Sequence, residues 1–401
     1  MFLKKTNLYI FIFYLLFGLI LFPSNLKSVV ILFFGILVLI RAIVNKVKFD
    51  LVYFINYSII YLLILCTLFY VNDFQQAFYN LQTMSSLIVF PFLFSLICRN
   101  DFLEIYKKLN IYFWIQIVSV LVFHLAVFLW FSINYFTFLE TIEHYQEIIN
   151  LHLGKFSIHP IYLSINCCIS LIFSYFLYQE EKRNNIKVII IICQIILVIL
   201  LILHSKKGPI ISFLLTLIIY FIYQRKKIFK PLLLIISFFT LFLVIPKFQN
   251  RFLEIFKVEN LNSTNFNSTN ARFSIYKTSL SLFIDTPLIG YSIGDYNNEL
   301  EKGYVKNNLY VLLEKKYNSH NQYLSFLLIG GIILLLGYIY FFTKNFFDAY
   351  KCNNTLFVMF IIFYSINMFT ENILERENGV IFFSFFICFF GYLNKISFKE
   401  I

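Results

Sequence analysis

Charged side chains are scarce in this chain, and none falls near the middle of any of its long apolar stretches. Asp, Glu, Lys and Arg make up 13% of its 401 residues while 60% are hydrophobic; an ordinary soluble domain carries about 25% charge. The composition excludes a soluble globular domain. The lack of ionisable groups at mid-span argues against a transporter, because proton relays, voltage sensors and ion pathways place such groups inside the membrane. His124 is the main ionisable residue at depth and reads as a packed, hydrogen-bonded interior histidine. Cysteine patterning is missing too. Cys66, Cys98, Cys167, Cys168, Cys193, Cys352 and Cys388 lie in apolar stretches or at their ends, with no CxxC or Cys/His spacing. Neither a disulfide framework nor a thiol-held metal is expected, and no cofactor. The first 23 residues lack a small-residue cleavage site, so they read as a spanning helix rather than a signal peptide.

What is present is apolar length. Stretches fall near residues 8–23, 28–44, 51–71, 83–98, 109–132, 160–178, 186–203, 208–223, 230–246, 322–342, 355–369 and 379–394. Each approaches the roughly 20 residues that cross about 30 Å of hydrocarbon. The expected architecture is all-α: one integral membrane domain over 1–401, about twelve transmembrane helices, and one large loop, 247–320, between the ninth and tenth. Charge gives the orientation. With a cytoplasmic N-terminus, nineteen Lys and Arg fall in inner segments and five (Lys27, Lys155, Lys206, Lys207, Arg376) in short outer ones. Long loops translocate largely regardless of charge, so this comparison decides, and both termini are expected in the cytoplasm. The net charge of +12 is then a topology signal that also favours anionic lipid, and no nucleic acid is expected as a partner.

On that topology the outer face collects the chemistry: His144, His152, His159, His204 and His320, together with Lys206, Lys207, Arg272, Glu371, Glu375 and Arg376. Residues 133–159 have the spacing of a surface helix, on which Glu140, Glu143 and Glu147 form a solvated face. Lys206 and Lys207 occupy a tight turn before Gly208-Pro209, where a helix N-terminus offers free N–H groups to an anion; snorkelling to headgroups is the alternative. The stretch Asn262 to Asn270 reads as a flexible approach or a helix cap. Arg272 then heads a short amphipathic helix, which ends in Pro287-Leu-Ile-Gly290-Tyr-Ser-Ile-Gly294, a turn whose glycines allow close backbone approach. His320-Asn321 leads into the next apolar helix. Glu375 and Arg376 read as a surface pair or as contacts for sugar hydroxyls, and His159 as a cap or a glycan contact.

The order of these pieces resembles the O-antigen ligase and polymerase superfamily: Ser205-Lys206-Lys207-Gly208, then Arg272, Pro287-x-x-Gly290-x-x-x-Gly294, and His320-Asn321-x-Tyr-Leu before Gly330-Gly331. The similarity covers residues 190–345. Where the family's turn often has arginine, this chain has Lys206, which keeps the charge but not the bidentate fork. The resemblance implies transfer of a glycan from undecaprenyl pyrophosphate to an acceptor hydroxyl at the periplasmic face of the bacterial inner membrane, without a metal. The acceptor would be lipid A–core for a ligase or a second lipid-linked glycan for a polymerase, with membrane lipid around both. Lys206 and Arg272 suit the departing pyrophosphate, and His320 suits the base. Glu371 is a second candidate base or an orienter of His320 or Arg272. Lys207, His159, Gly290, Gly294, Asn321 and Arg376 are candidate substrate contacts. The competing class is a lipid-linked glycan flippase or another polysaccharide transporter, which would show a charged central path and repeated halves.

Overall fold

A computed structural model describes residues 5–224 and 266–397. The ninth apolar stretch (230–246), the basic cluster Arg225 to Lys230, the first part of the expected loop (247–265), Lys4 and Lys399 lie outside the described residues. Among the described residues every regular element is helical, as the composition requires. In chain order these are α1 (Lys5–Phe17), α2 (Ser24–Val44), α3 (Leu51–Cys66), α4 (Phe74–Thr83), α5 (Ser86–Ser95), α6 (Arg99–Tyr106), α7 (Leu109–Asn134), α8 (Phe138–Glu143), α9 (Pro160–Glu180), α10 (Asn184–His204), α11 (Lys207–Tyr223), α12 (Ser268–Asp285), α13 (Tyr296–Lys306), α14 (Tyr310–Glu314), α15 (Gln322–Lys351), α16 (Thr355–Asn367) and α17 (Glu377–Ser397).

Seven of the described helices are long and apolar enough to cross a bilayer, or eight if α4 and α5, bent by 48°, form one broken span. The chain is a multi-pass membrane protein. Leu8–Phe17, Lys207–Ile222 and Thr355–Asn367 are apolar but shorter. Hydropathy places the stretches well and their ends poorly, because caps and turns set the ends. The stretch 8–23 stops as a helix at Phe17 and tightens into a 3₁₀ turn over Leu19–Leu21. The stretch 83–98 is the second half of a bent pair whose first half, Phe74–Thr83, is amphipathic and is capped by the Asp73 carboxylate accepting from the Gln76 N–H. The surface helix expected over 133–159 is broken into short turns. Thr137 and Glu140 form a capping box at the start of α8, and the chain then passes through Tyr145–Glu147, a π turn at Ile148–His152 and a 3₁₀ turn at Gly154–Phe156. Glu140, Glu143 and Glu147 are exposed, as a solvated face requires.

The chain clusters into two compact units interleaved in sequence, Met1–Leu51, Phe92–Phe213 and Tyr392–Ile401 in the first, and Val52–Pro91 and Leu214–Gly391 in the second. Apolar composition alone cannot show this division, since every helix is apolar and only packing assigns neighbours. In the first unit the Phe13 ring contacts Phe34, Phe94, Phe102 and Tyr112 at centroid distances of 5.4–6.4 Å. Phe113 stacks on Phe173 at 4.4 Å between α7 and α9. Several polar groups inside are paired. Gln116 donates to Asn166 at 3.0 Å, and the Arg41 guanidinium grips Asp101 through two nitrogens.

In the second unit α15, α16 and the first part of α17 pack through aromatic rings, with Phe360 touching Phe383, Phe386 and Phe390. α12 packs on α13 and α15. α15 is not one continuous helix: Gly330 (φ −134°, ψ 19°) and Gly331 (φ 60°, ψ −156°) break it. The backbone groups freed there bond the 287–292 segment. Tyr291 N–H donates to Leu328 O at 2.7 Å, Ser292 N–H to Ile329 O at 2.9 Å, and Ile332 N–H to Pro287 O at 2.9 Å. This docking fixes the loop that follows α12 against the helix that His320 precedes.

Candidate functional site

Three segments of the second unit meet at the Glu371 carboxylate. The first is α12. Its N-terminus is capped by Asn267, whose side chain accepts from the Thr269 and Asn270 N–H groups, a contact that stabilises a helix by about 1 kcal/mol. The cap lies one residue before Ser268, so Arg272 opens the second turn rather than the first. From there its Nη2 donates to Glu371 Oε1 at 2.7 Å. The second segment is the turn before α15. His320 has a left-handed backbone (φ 46°) and places Nδ1 3.4 Å from Glu371 Oε2. Asn321 then caps α15, accepting from the Tyr323 and Leu324 N–H groups. The third segment is the turn after α16 that carries Glu371 itself.

The arrangement is held from behind. Tyr276, one helical turn beyond Arg272, shares its hydroxyl between Phe369 O (2.9 Å) and His320 O (3.2 Å). Burial pushes that phenol up to about 12, so it remains a donor. Gln322 N–H donates to Met368 O at 2.9 Å, tying the start of α15 to the end of α16. Glu371 is 10% exposed at its side chain, against 29% for Arg272 and 24% for His320. The acid is therefore the inner member and the cation and imidazole form the accessible edge. Arg272 Nε is buried without a hydrogen-bond partner among the described residues.

A carboxylate that holds Arg272 on one oxygen and faces Nδ1 of His320 with the other does two things. It fixes the guanidinium as a local positive charge, and it faces His320 Nδ1, which has no hydrogen-bond partner among the described residues, leaving Nε2 as the nitrogen turned away from the acid. The Glu371 carboxylate thus lies beside both residues that the sequence named as its possible partners.

The other residues singled out in the sequence belong to other elements. Lys206 and Lys207 belong to the first unit, where Ser205 closes α10 in a left-handed conformation and Lys207 is the first residue of α11. His159, also in the first unit, is the N-cap of α9, its Nδ1 accepting from the Ile161 N–H at 3.4 Å. Gly290 and Gly294 do allow close approach, but to the chain's own atoms. A Cβ on Gly290 would lie 2.5 Å from Leu328 O, and one on Gly294 2.3 Å from Asp73 O.

Glu375 and Arg376 do not form a surface pair. Arg376 is exposed, while the Glu375 carboxylate turns inward and accepts from Ser325, Tyr296, Asn372, Asn318 and Gln322. Sequence adjacency suggested the pair; the 3₁₀ turn Ile373–Glu375 separates the two side chains. Asp295 is a second inward acid that sequence reasoning missed. Burial raises its carboxyl, but hydrogen bonds from Asn72, Asp73 and Ser292 outweigh that and leave it below its ordinary value.

Burial pushes Glu375 the other way, above the ordinary carboxylate value, although Ser325, Asn372 and Tyr296 pull it down. A carboxyl raised on folding binds its proton more tightly in the folded state. Its contribution to stability is present below the unfolded pKa and lost as pH rises through the folded one. Glu375→Gln is thus expected to flatten the fall in thermal stability above about pH 4.5. Unfolding midpoints of the detergent-solubilised protein across pH 4–8 would show it, and equal slopes in both proteins would refute the assignment.

No curated protein matches the chain. Residues 191–339 match the family model described as O-antigen ligase, a span that includes Lys206, Arg272, Gly290 and His320 and stops short of Glu371. The ordered pieces from Ser205 to Gly331 lie inside that span, so the chain carries, over residues 191–339, a region similar to the O-antigen ligase family.

Proposed function

We propose that the protein transfers a glycan from undecaprenyl pyrophosphate to an acceptor hydroxyl, as a surface-polysaccharide polymerase or ligase. The observation that carries this reading is the contact of Arg272 and His320 through Glu371. In the reaction the acceptor oxygen bonds the anomeric carbon of the donor glycan as the bond from that carbon to the pyrophosphate oxygen breaks. The acceptor proton passes to His320 Nε2, and the pyrophosphate leaves with its negative charge held by Arg272. Glu371 keeps both partners in place. Lys206 and Lys207 keep the phosphate-binding role that their place at a helix N-terminus suggests, and Asn321 and Arg376 are contacts for the glycan.

The site is assigned to the periplasmic side of a bacterial inner membrane, with both termini cytoplasmic, twelve spans, and residues 247–320 as the periplasmic loop. The positive-inside imbalance supports this orientation. The acceptor is either lipid A–core or a second lipid-linked glycan. The family resemblance implies transfer without a metal ion, with side-chain cations holding the pyrophosphate.

Deletion of the gene and complementation with Arg272→Ala, Lys206→Ala or His320→Ala tests the reading, with surface polysaccharide resolved on gels. Single repeats left on the lipid anchor indicate a lost polymerase; polymer stranded on the carrier indicates a lost ligase. Full-length product from all three variants would remove the assignment.

A further inference from the structure

Inside the first unit, three helices bring together side chains that no local spacing connects. His124 of α7, Cys167 of α9 and His204 at the end of α10 are all buried, and one ligand atom from each lies within 4.8 Å of the others. We propose that these three residues bind a thiophilic d-block metal ion, and that the ion is monovalent copper.

The orientation of each group supports ligation. His124 Nδ1 is 2.7 Å from the Tyr145 hydroxyl, an outer hydrogen bond of the kind that fixes the tautomer of a metal-bound imidazole and leaves the other nitrogen's lone pair free. That other nitrogen, Nε2, is 3.9 Å from Cys167 Sγ. Ligand bonds of about 2.0–2.3 Å put neighbouring donor atoms of a three- or four-coordinate ion about 3.4–3.9 Å apart, so the pair is at ligand spacing and too long for a strong hydrogen bond. His204 is fully buried, and neither of its ring nitrogens has a hydrogen-bond partner among the described residues. A buried imidazole with both nitrogens unmatched is unfavourable unless something else takes a lone pair. Its ring lies 4.9 Å from that of His124. The backbone beneath it is already fixed, since Gln146 Nε2 donates to the carbonyls of Leu203 and His204 at 3.1 and 2.7 Å. The helices α7, α9 and α10 thus bring the three donors within 4.8 Å of one another.

Charge selects the ion. One thiolate and two neutral imidazoles carry a single negative charge, which Cu⁺ cancels and Zn²⁺ exceeds by one. The surroundings are apolar: a cavity of about 240 Å³ reaches His124 between Leu121, Phe128, Ile196 and Leu200. A net charge there would be costly, and a soft thiolate with imidazoles suits Cu⁺. On binding, the Cys167 thiol proton is released to solvent, so affinity falls as pH falls.

The test uses full-length protein purified in detergent under reductant and offered, in separate arms, Cu⁺ with a competing chromophoric chelator, or Zn²⁺. One Cu⁺ per chain is expected, with a metal-edge absorption spectrum fitted by one sulfur and two nitrogens. Cys167→Ser and His204→Gln should each weaken retention at least tenfold, while Cys168→Ser, at the neighbouring buried thiol, should retain the copper. Copper retained equally by Cys167→Ser and His204→Gln, or wild-type protein that takes up neither ion, would overturn the site. A preference for Zn²⁺ would overturn the monovalent assignment. The absorption spectrum of the wild type gives the donor set even if a variant fails to fold.

Discussion

His320→Asn is expected to lower glycan transfer by about 10²–10⁴-fold, the usual worth of a positioned general base. Asparagine is the informative replacement because residue 320 has φ of 46°. Asparagine enters the left-handed region more readily than most residues, so the backbone turn that leads Asn321 into its capping position can persist. Alanine would remove the base and strain the turn together, and a loss of activity would then have two explanations. The Asn321 cap and the Gln322 to Met368 bond do not involve the imidazole, so the variant should fold. Purified protein supplied with lipid-linked donor and acceptor gives the rate, and activity within threefold of wild type would dismiss His320 as the base. Glu371→Gln supplies the contrast. It removes the negative charge facing Arg272 and His320 but neither functional group, so its loss should be the smaller of the two.

The parts of this site differ in how far the sequence revealed them. Arg272, His320 and Glu371 were each recognisable, the first two by their order within a familiar set of pieces and the third by its position in an outer turn. Their meeting was not, because 99 residues separate Arg272 from Glu371 and nothing in either segment specifies the other. Glycine spacing was legible as a need for close backbone approach, yet the sequence could not say to what, and the partner is the broken helix at Gly330-Gly331. Glu375 shows the reverse limit: a charged residue beside another in a short loop reads as surface, and only the turn geometry sends its carboxylate inward. Metal-ligand reasoning from spacing looks for ligands within one or two segments. His124, Cys167 and His204 stand on three separate helices; the first two lie in apolar stretches where a lone histidine or cysteine reads as packing, and His204, just past the end of one, was grouped with the outer-face residues. Helix positions were legible because apolar runs are long. The run read as 322–342 continues as helix to Lys351, because Lys344, Asp348 and Lys351 lower the hydropathy without interrupting the backbone.

The break in α15 carries the second large expected effect: Gly331→Ala should destabilise the protein by on the order of 3 kcal/mol or more, through two additive causes. The first is conformational. Gly331 has φ 60° and ψ −156°, a region open essentially to glycine alone, where any other residue costs about 1–3 kcal/mol. The second is steric. An added Cβ would lie 2.3 Å from the Leu288 carbonyl carbon and oxygen and 2.6 Å from Ile289 N. These are backbone atoms, with no flexible end to swing aside, so the 287–292 segment would have to separate from the break and give up the bonds from Tyr291, Ser292 and Ile332. Because α12 runs into that segment and His320 precedes α15, the displacement should also pull Arg272 and His320 off Glu371, and transfer should fall with stability. Gly154→Ala isolates the conformational cause. Gly154 has φ 52° and nothing within 4 Å of an added Cβ, so only the backbone cost applies there. Thermal unfolding in detergent should therefore order the proteins as wild type, Gly154→Ala, then Gly331→Ala, with the last several degrees below the second. Equal midpoints for the two variants would show that the loop is not docked on the break as described.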